Sequence, residues 1–133
     1  MQNNKIIVDT SVWIEYFKNN KKYVDFIEDN LNLDNIIITG LIIAELLYGV
    51  KNKEEYNLLT SSISAVPYTE CIFEDWNKTG EILFELKKIG KTVPLSDALI
   101  SAIAIRNNAS VLTLDLHFKE ISRIKSIDII SLN

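Results

Sequence analysis

The chain has 133 residues, 47% hydrophobic and 24% charged, with four Gly and two Pro; this is enough for one folded domain over residues 1–133 and excludes disordered, collagen-like and low-complexity classes. Its 14 basic and 18 acidic residues leave a net charge of -4, which excludes coating of nucleic acid by a broad basic surface, so any such contact must be local. One cysteine, Cys71, and one histidine, His117, exclude an internal disulfide and a Cys/His zinc site, and suit a reducing, cytoplasmic setting.

In chain order, Met1-Gln2-Asn3-Asn4-Lys5 leads into three apolar residues before Asp9 interrupts, too few for the apolar core of a signal peptide. Lys5 to Val8 reads as a strand that ends on the carboxylate of Asp9. Thr10 or Ser11 is then expected to cap a helix bearing Val12, Trp13, Tyr16 and Phe17 on one face. Val24, Phe26 and Ile27 predict a helix over 22–30, and Ile36-Ile37-Ile38 the next strand. Thr39 is expected to cap a helix ending near Gly49. The stretch from Ile36 to Leu47 is broken by Thr39, Gly40 and Glu45 and falls short of the ~20 residues a bilayer span demands, so no membrane insertion is expected.

Another helix is predicted over 54–63. Ala65-Val66-Pro67-Tyr68 reads as a weak strand whose proline suits an edge. Ile72, Phe73, Trp76, Leu83 and Leu86 recur at helical intervals up to Gly90, a residue suited to ending the long amphipathic helix that they imply. After Val93-Pro94, Ser96 is expected to cap a helix from Asp97 to about Asn107, apolar nearly all round and therefore buried on several sides. Ser110 to Leu114 predicts a strand, Asp115 follows it, a short helix covers 118–122, and Ile127 to Ile130 closes the pattern. Strands alternating with helices predict an α/β fold, a three-layer α/β/α sandwich with a mainly parallel central sheet, because parallel neighbours need helical crossovers. In such sheets ligands bind beyond the C-terminal strand ends, where the sequence puts Asp9 and Asp115.

Four acids stand among residues otherwise committed to a core: Asp9, Glu45, Asp97 and Asp115. Glu45 lies in Leu41-Ile42-Ile43-Ala44-Glu45-Leu46-Leu47, more than a turn past the expected cap, where capping does not explain it. Asp97 opens an apolar helix and Asp115 follows Val-Leu-Thr-Leu. Each Asp alone has an ordinary reading as a helix-start residue. Brought together they repel: two carboxylates ~4 Å apart at an effective dielectric of ~20 do so by about 4 kcal/mol, so a cluster must protonate, recruit basic groups or bind a cation. Carboxylate oxygens without imidazole or thiolate favour a hard ion, Mg²⁺ or Mn²⁺.

Four blocks carry a resemblance to a known family. Val8-Asp9-Thr10-Ser11-Val12-Trp13-Ile14, Thr39-Gly40-Leu41-Ile42-Ile43-Ala44-Glu45-Leu46-Leu47-Tyr48-Gly49, Pro94-Leu95-Ser96-Asp97-Ala98-Leu99-Ile100 and Leu112-Thr113-Leu114-Asp115-Leu116-His117-Phe118 together resemble, in order and spacing, the PIN-domain ribonucleases, most closely the VapC-like toxins of toxin–antitoxin pairs. The resemblance implies a parallel sheet flanked by helices, an acidic Mg²⁺ site and endonucleolytic cleavage of RNA. It implies a small antitoxin protein as partner, and a toxin homodimer or toxin–antitoxin hetero-oligomer. It makes Asp9, Asp97 and Asp115 metal ligands and Glu45 the residue that orients or deprotonates the attacking water. Ser11 is expected to hydrogen-bond a liganding carboxylate or water, if it does not cap its helix. Thr113, two residues before Asp115 on an extended strand, could support that acid or simply form strand.

His117 reads as a surface residue outside the catalytic set. Lys87, Lys88, Lys91, Arg106 and Lys119 could touch an RNA backbone or serve helix C-termini. Trp13, Tyr16 and Phe17 read as core aromatics, with a dimer or antitoxin groove as the other reading, and Cys71 as a small hydrophobe. Two other function classes use related parts. A receiver domain or haloacid-dehalogenase-like phosphatase also places Asp after parallel strands, but the phosphatase wants a second Asp where Ser11 stands and the receiver paired acids before its first helix. A non-catalytic PIN-like binding module would keep the fold without need of all four acids.

Overall fold

Branched aliphatic residues build the sheet. A computed structural model describes residues 5–132, so the start read above for a leader, residues 1–4, lies outside the described residues. The elements run β1 (Ile6–Val8), α1 (Thr10–Phe17), α2 (Lys21–Asn32), β2 (Ile36–Ile37), α3 (Gly40–Tyr48), α4 (Lys53–Ile63), α5 (Phe73–Lys88), α6 (Leu95–Arg106), β3 (Ser110–Leu112), α7 (His117–Ile121) and β4 (Ile129–Ile130). The strands form one parallel sheet in the order β2-β1-β3-β4, with Ile7 opposite Ile37 and Val111, and Val8 opposite Leu112. Ile7, Val8, Ile36, Val111 and Leu112 are fully buried, as strands covered by helices on both faces require.

Right-handed crossovers dictate the layers. The chain leaves β1 toward β2 in one direction and reaches β3 and β4 in the other, which puts α1 and α2 on one face and α6 and α7 on the other. Helices α3 and α4 extend the first group through contacts of α3 with α1 and α4, while α5 packs along α6. The direction of winding reverses between β1 and β3. A crevice therefore opens at their C-terminal ends, the place where sheets of this kind bind ligands.

Left-handed residues aim the chain back into the sheet. Gly90, at φ 75°, ends α5 in a Schellman turn, with the Lys91 N–H on the Leu86 carbonyl and the Gly90 N–H on that of Lys87. Asn19, Asp34 and Asn108, at φ 61°, 61° and 51°, end α1, α2 and α6 in the same way. The latter two deliver the chain directly into β2 and β3.

Several local expectations are corrected. The first position of α1 is Thr10, so Asp9 occupies the N-cap, and neither Thr10 nor Ser11 caps the helix because both hydroxyls are engaged elsewhere. Helix α6 starts two residues early, at Leu95. Pro94 stands at its N-cap, which leaves Ser96 inside the first turn and Asp97 at its third position. The strand expected to reach Leu114 stops at Leu112, and the expected edge strand is a single parallel bridge between Ile38 and Tyr68, in which the Pro67 carbonyl accepts the Ile38 N–H at 2.9 Å. Phe17, read as core, is 40% exposed; Trp13 is buried as expected.

Helix α5 is rotated from its expected orientation. Its buried face is Asp75, Thr79, Ile82 and Leu86, while Phe73 and Trp76 are 75% and 52% exposed. The cause is Arg106. It forks onto Asp75 through Nε to Oδ1 at 2.8 Å and a terminal nitrogen to Oδ2 at 2.9 Å, and donates to the Glu70 carbonyl. Asp75 also accepts the Ile72 N–H at 2.9 Å, so the same carboxylate caps α5. Arg106 is thus a structural residue locking α5 to α6.

Replacing Arg106 by Met strands the Asp75 carboxylate and is expected to cost about 3 kcal/mol, with the double change Asp75→Leu and Arg106→Met recovering most of it. Urea denaturation measures both. A single-variant loss below about 1 kcal/mol would show that water supports Asp75 instead.

Candidate active site

Asp9 is held by the sheet and by the helix that follows. Its N–H extends the β1–β3 ladder onto the Leu112 carbonyl at 2.9 Å, and its own carbonyl accepts the N–H groups of Val12 and Trp13. The carboxylate makes no cap bond. Instead its Oδ2 accepts two hydroxyls, Ser11 Oγ at 2.9 Å and Thr113 Oγ1 at 2.9 Å, the second reaching across from the end of β3. Each hydroxyl in turn accepts a backbone N–H: Ser11 from Leu114 at 3.2 Å and Thr113 from Asp115 at 2.9 Å. Thr113 therefore acts on Asp9 by its side chain and on Asp115 through the backbone. Asp115 Oδ1 accepts the His117 N–H at 2.9 Å and so starts α7.

Asp97 completes the cluster from α6. It is 6% exposed, and its Oδ2 lies 3.0 Å from His117 Nδ1, which is itself 2.7 Å from Asp115 Oδ1. Burial pushes the Asp97 carboxyl up from its ordinary 3.8 to about 7, and the charges of Asp115 and Asp9 push the same way; the His117 hydrogen bond only partly offsets them. Burial of the His117 ring works to lower its pKa, but Asp115, with help from Asp97, raises it above that of an ordinary imidazole. Among the described residues, the ion pairs supply Asp97 and Asp115 with His117, and none of the three acids with a lysine or arginine. The contrast with Asp75, more deeply buried and met by a guanidinium, is direct.

Glu45 stands apart from this group. It is half-buried, and its Oε1 accepts the Thr10 hydroxyl at 2.7 Å, which links it to the residue beside Asp9. It also borders an apolar groove of about 560 Å³ between α1, α3 and α4, lined by Ile14, Phe17, Leu46, Val50 and Leu58. Ser11 and Thr113 both touch Asp9. Sequence reasoning missed two contacts. His117 is exposed, as expected, but its ring reaches both Asp97 and Asp115, a contact for which its place two residues after Asp115 at a helix start was the available signal; the Asp75 pairing with Arg106 gave none.

The donors suit a divalent cation. Asp97, Asp115 and His117 each offer one ligand atom, all within 4.8 Å of one another, and Asp9 adds its negative charge to the same space. The raised Asp97 pKa reflects first its burial and then the uncompensated negative charges of Asp115 and Asp9.

Comparisons with known proteins give the family and the fold. A family model described as PIN domain matches residues 6–124. The VapC ribonuclease Mb1587 of Mycobacterium bovis is 27% identical over 129 residues, covering 92% of this chain and 95% of its own. Ribonuclease VapC2 of Rickettsia felis is 29% identical over 118 residues, covering 80% and 84%. Among solved structures, VapBC2 from Rickettsia felis bound to a DNA fragment from its promoter superposes with a TM-score of 0.82 at 23% identity, over 96% of this chain and 98% of that one. DNA-bound VapBC from Salmonella typhimurium gives 0.79 at 25% identity, over 98% and 99%.

Because the folded pKa of Asp97 lies above its unfolded value, the folded state holds this proton more tightly. Stability from this group is full below about pH 4 and is lost as pH rises toward 7. Asp97→Asn is therefore expected to raise the melting temperature of the metal-free protein at about pH 8 and to change it little at about pH 4. Equal shifts at both pH values would contradict the burial and repulsion assigned to Asp97.

Proposed function

The chain belongs to the PIN domain family, and from that membership we propose that it is a metal-dependent endoribonuclease, the toxin of a type II toxin–antitoxin pair, which hydrolyses RNA phosphodiester bonds. The observation that carries the reading is that Asp97 and Asp115 share His117, with the charge of Asp9 acting on Asp97, without a lysine or arginine partner among the described residues. Family membership sets aside the receiver and dehalogenase-like alternatives. The acids argue against a module that only binds, since a binder gains nothing from their repulsion.

Asp9, Asp97 and Asp115 are the residues that would hold a divalent cation, Mg²⁺ or Mn²⁺. When bound, the cation supplies positive charge against the phosphate oxygens and acidifies water, which turns an acidic cup into a phosphate site. The Ser11 and Thr113 hydroxyls fix one oxygen of Asp9, so its carboxylate does not reorient as substrate arrives. Thr10 fixes Oε1 of Glu45, leaving Oε2 to orient the attacking water or take its proton. Lys87 and Lys88 at the end of α5, Lys91 between α5 and α6, and Lys119 on α7 are exposed and would offer charge to flanking phosphates. Arg106 is excluded from that role by Asp75.

The antitoxin is a small protein that places an apolar segment in the groove beside Glu45, next to the centre it blocks. A toxin homodimer or a toxin–antitoxin hetero-oligomer is the expected assembly. No helix among the described residues is long and apolar enough to cross a membrane, and a cytoplasmic location suits both an RNA substrate and a lone free cysteine. The whole of residues 1–133 is read as one nuclease domain.

With a panel of cellular, transfer and ribosomal RNAs, cleavage is expected in Mg²⁺ or Mn²⁺ and none in EDTA. Asp9→Asn and Asp97→Asn are each expected to lower it at least about a hundredfold, and Thr113→Val about tenfold, with circular dichroism unchanged. Divalent ion should also raise the melting temperature of the wild type more than that of either Asn variant. Cleavage that survives EDTA, or full activity of Asp97→Asn, would reject this assignment.

A further inference from the structure

Resting on the metal-site reading above, we infer that His117 is itself a ligand, so that the centre is a mixed nitrogen and oxygen site that prefers a first-row transition ion such as Mn²⁺ to Mg²⁺. The nearest polar neighbours of Nδ1 are carboxylate oxygens from two different elements, Asp97 Oδ2 on α6 at 3.0 Å and Asp115 Oδ1 before α7 at 2.7 Å. One ring nitrogen carries at most one proton, so it cannot donate fully to both. These spacings have a second meaning. Adjacent ligands of an octahedral ion with bonds near 2.1 Å stand about 3 Å apart, so Nδ1 lies at the separation of a neighbouring ligand position from each of the two oxygens.

The ring is also positioned for the task. The His117 N–H is fixed on Asp115 Oδ1, and Phe118 beside it is fully buried, so the first turn of α7 is anchored on both sides of the imidazole. The side chain is 46% exposed, leaving a path by which the Nδ1 proton can leave to solvent as a cation takes its place between the acids. A neutral imidazole then turns a lone pair toward the cation. Mg²⁺ prefers oxygen ligands and dehydrates reluctantly, whereas affinity of nitrogen-containing sites rises along the first-row series beginning at Mn²⁺. One imidazole in the ligand set therefore shifts selectivity away from Mg²⁺.

The single histidine makes the test unambiguous. The untagged full chain is loaded with Mn²⁺ and its electron spin-echo envelope modulation recorded with natural-abundance and ¹⁵N-labelled histidine, alongside calorimetric titrations of Mn²⁺ and Mg²⁺ into wild type, His117→Ala and Asp97→Asn. The expected result is a directly coordinated nitrogen whose coupling changes from ¹⁴N to ¹⁵N on labelling and vanishes in His117→Ala. Mn²⁺ affinity should fall at least about tenfold in that variant and Mg²⁺ affinity much less. Mn²⁺ binding that Asp97→Asn weakens, but without nitrogen coupling in the wild type, overturns the inference and leaves the carboxylate site standing. Equal losses of Mg²⁺ and Mn²⁺ affinity in His117→Ala overturn the selectivity. No Mn²⁺ binding, or binding indifferent to Asp97→Asn, overturns both.

Discussion

The gathering of Asp97 and Asp115 about one imidazole, with the charge of Asp9 acting on Asp97, is the constraint on which this molecule turns. Folding would ordinarily avoid such an arrangement, because each negative charge raises the cost of the next. The chain shows elsewhere how it treats a buried acid that is only structural: Asp75 receives a two-pronged guanidinium, a backbone N–H and a place in a helix interface. Asp97 receives half-exposed His117 and two like-charged neighbours, and its carboxyl is pushed up to about 7. Burial does not separate the two cases, since Asp75 is the more buried. Compensation does.

The sheet makes the cluster affordable. Strands of only two or three residues leave the ends of β1 and β3 close to the crossovers, and their Val8–Leu112 pairing puts Asp9 and Thr113 side by side. The Thr113 hydroxyl then serves two masters, donating to Asp9 and accepting from the Asp115 backbone, so the turn that carries the last acid cannot move without disturbing the first. Asp97 comes from the helix with the most continuous burial in the chain, from Asp97 to Ala104, whose position leaves its first turn little freedom. A rigid apolar frame thus fixes polar groups that repel one another.

Much of this was readable in the sequence. A β-branched run that stops on an Asp, as at Ile6-Ile7-Val8-Asp9, marks both a strand and an acid at its C-terminal end. Gly90 marked the end of α5, and the parallel α/β architecture followed from the alternation of elements. The misreadings share a cause, which is that side-chain partners far along the chain decided the outcome. Thr10 was taken for a cap because its true partner, Glu45, is fixed only by the tertiary fold, whereas Ser11 makes the carboxylate contact that was its other reading. The buried face of α5 was misjudged because Phe73 and Trp76 outweigh Asp75 on any hydrophobicity argument, and nothing local announces Arg106. Pro94 displaced Ser96 as the helix start because its fixed φ suits that position and Leu95 continues the helix without strain. His117 carries no periodic signal at all. Glu45 was expected in the same cup as the three Asp residues; it stands apart from them at the edge of the apolar groove, linked only through the hydroxyl of Thr10, the residue beside Asp9.

The most direct measurement is anomalous diffraction from crystals of the full chain soaked in Mn²⁺ at near-neutral pH. The expected map has a strong peak among the carboxylates of Asp97, Asp115 and Asp9 and none beside Asp75, whose charge is already met. Density confined to other surfaces, with the three carboxylates unchanged and no ion between them, would contradict the claim that their repulsion is relieved by a divalent cation.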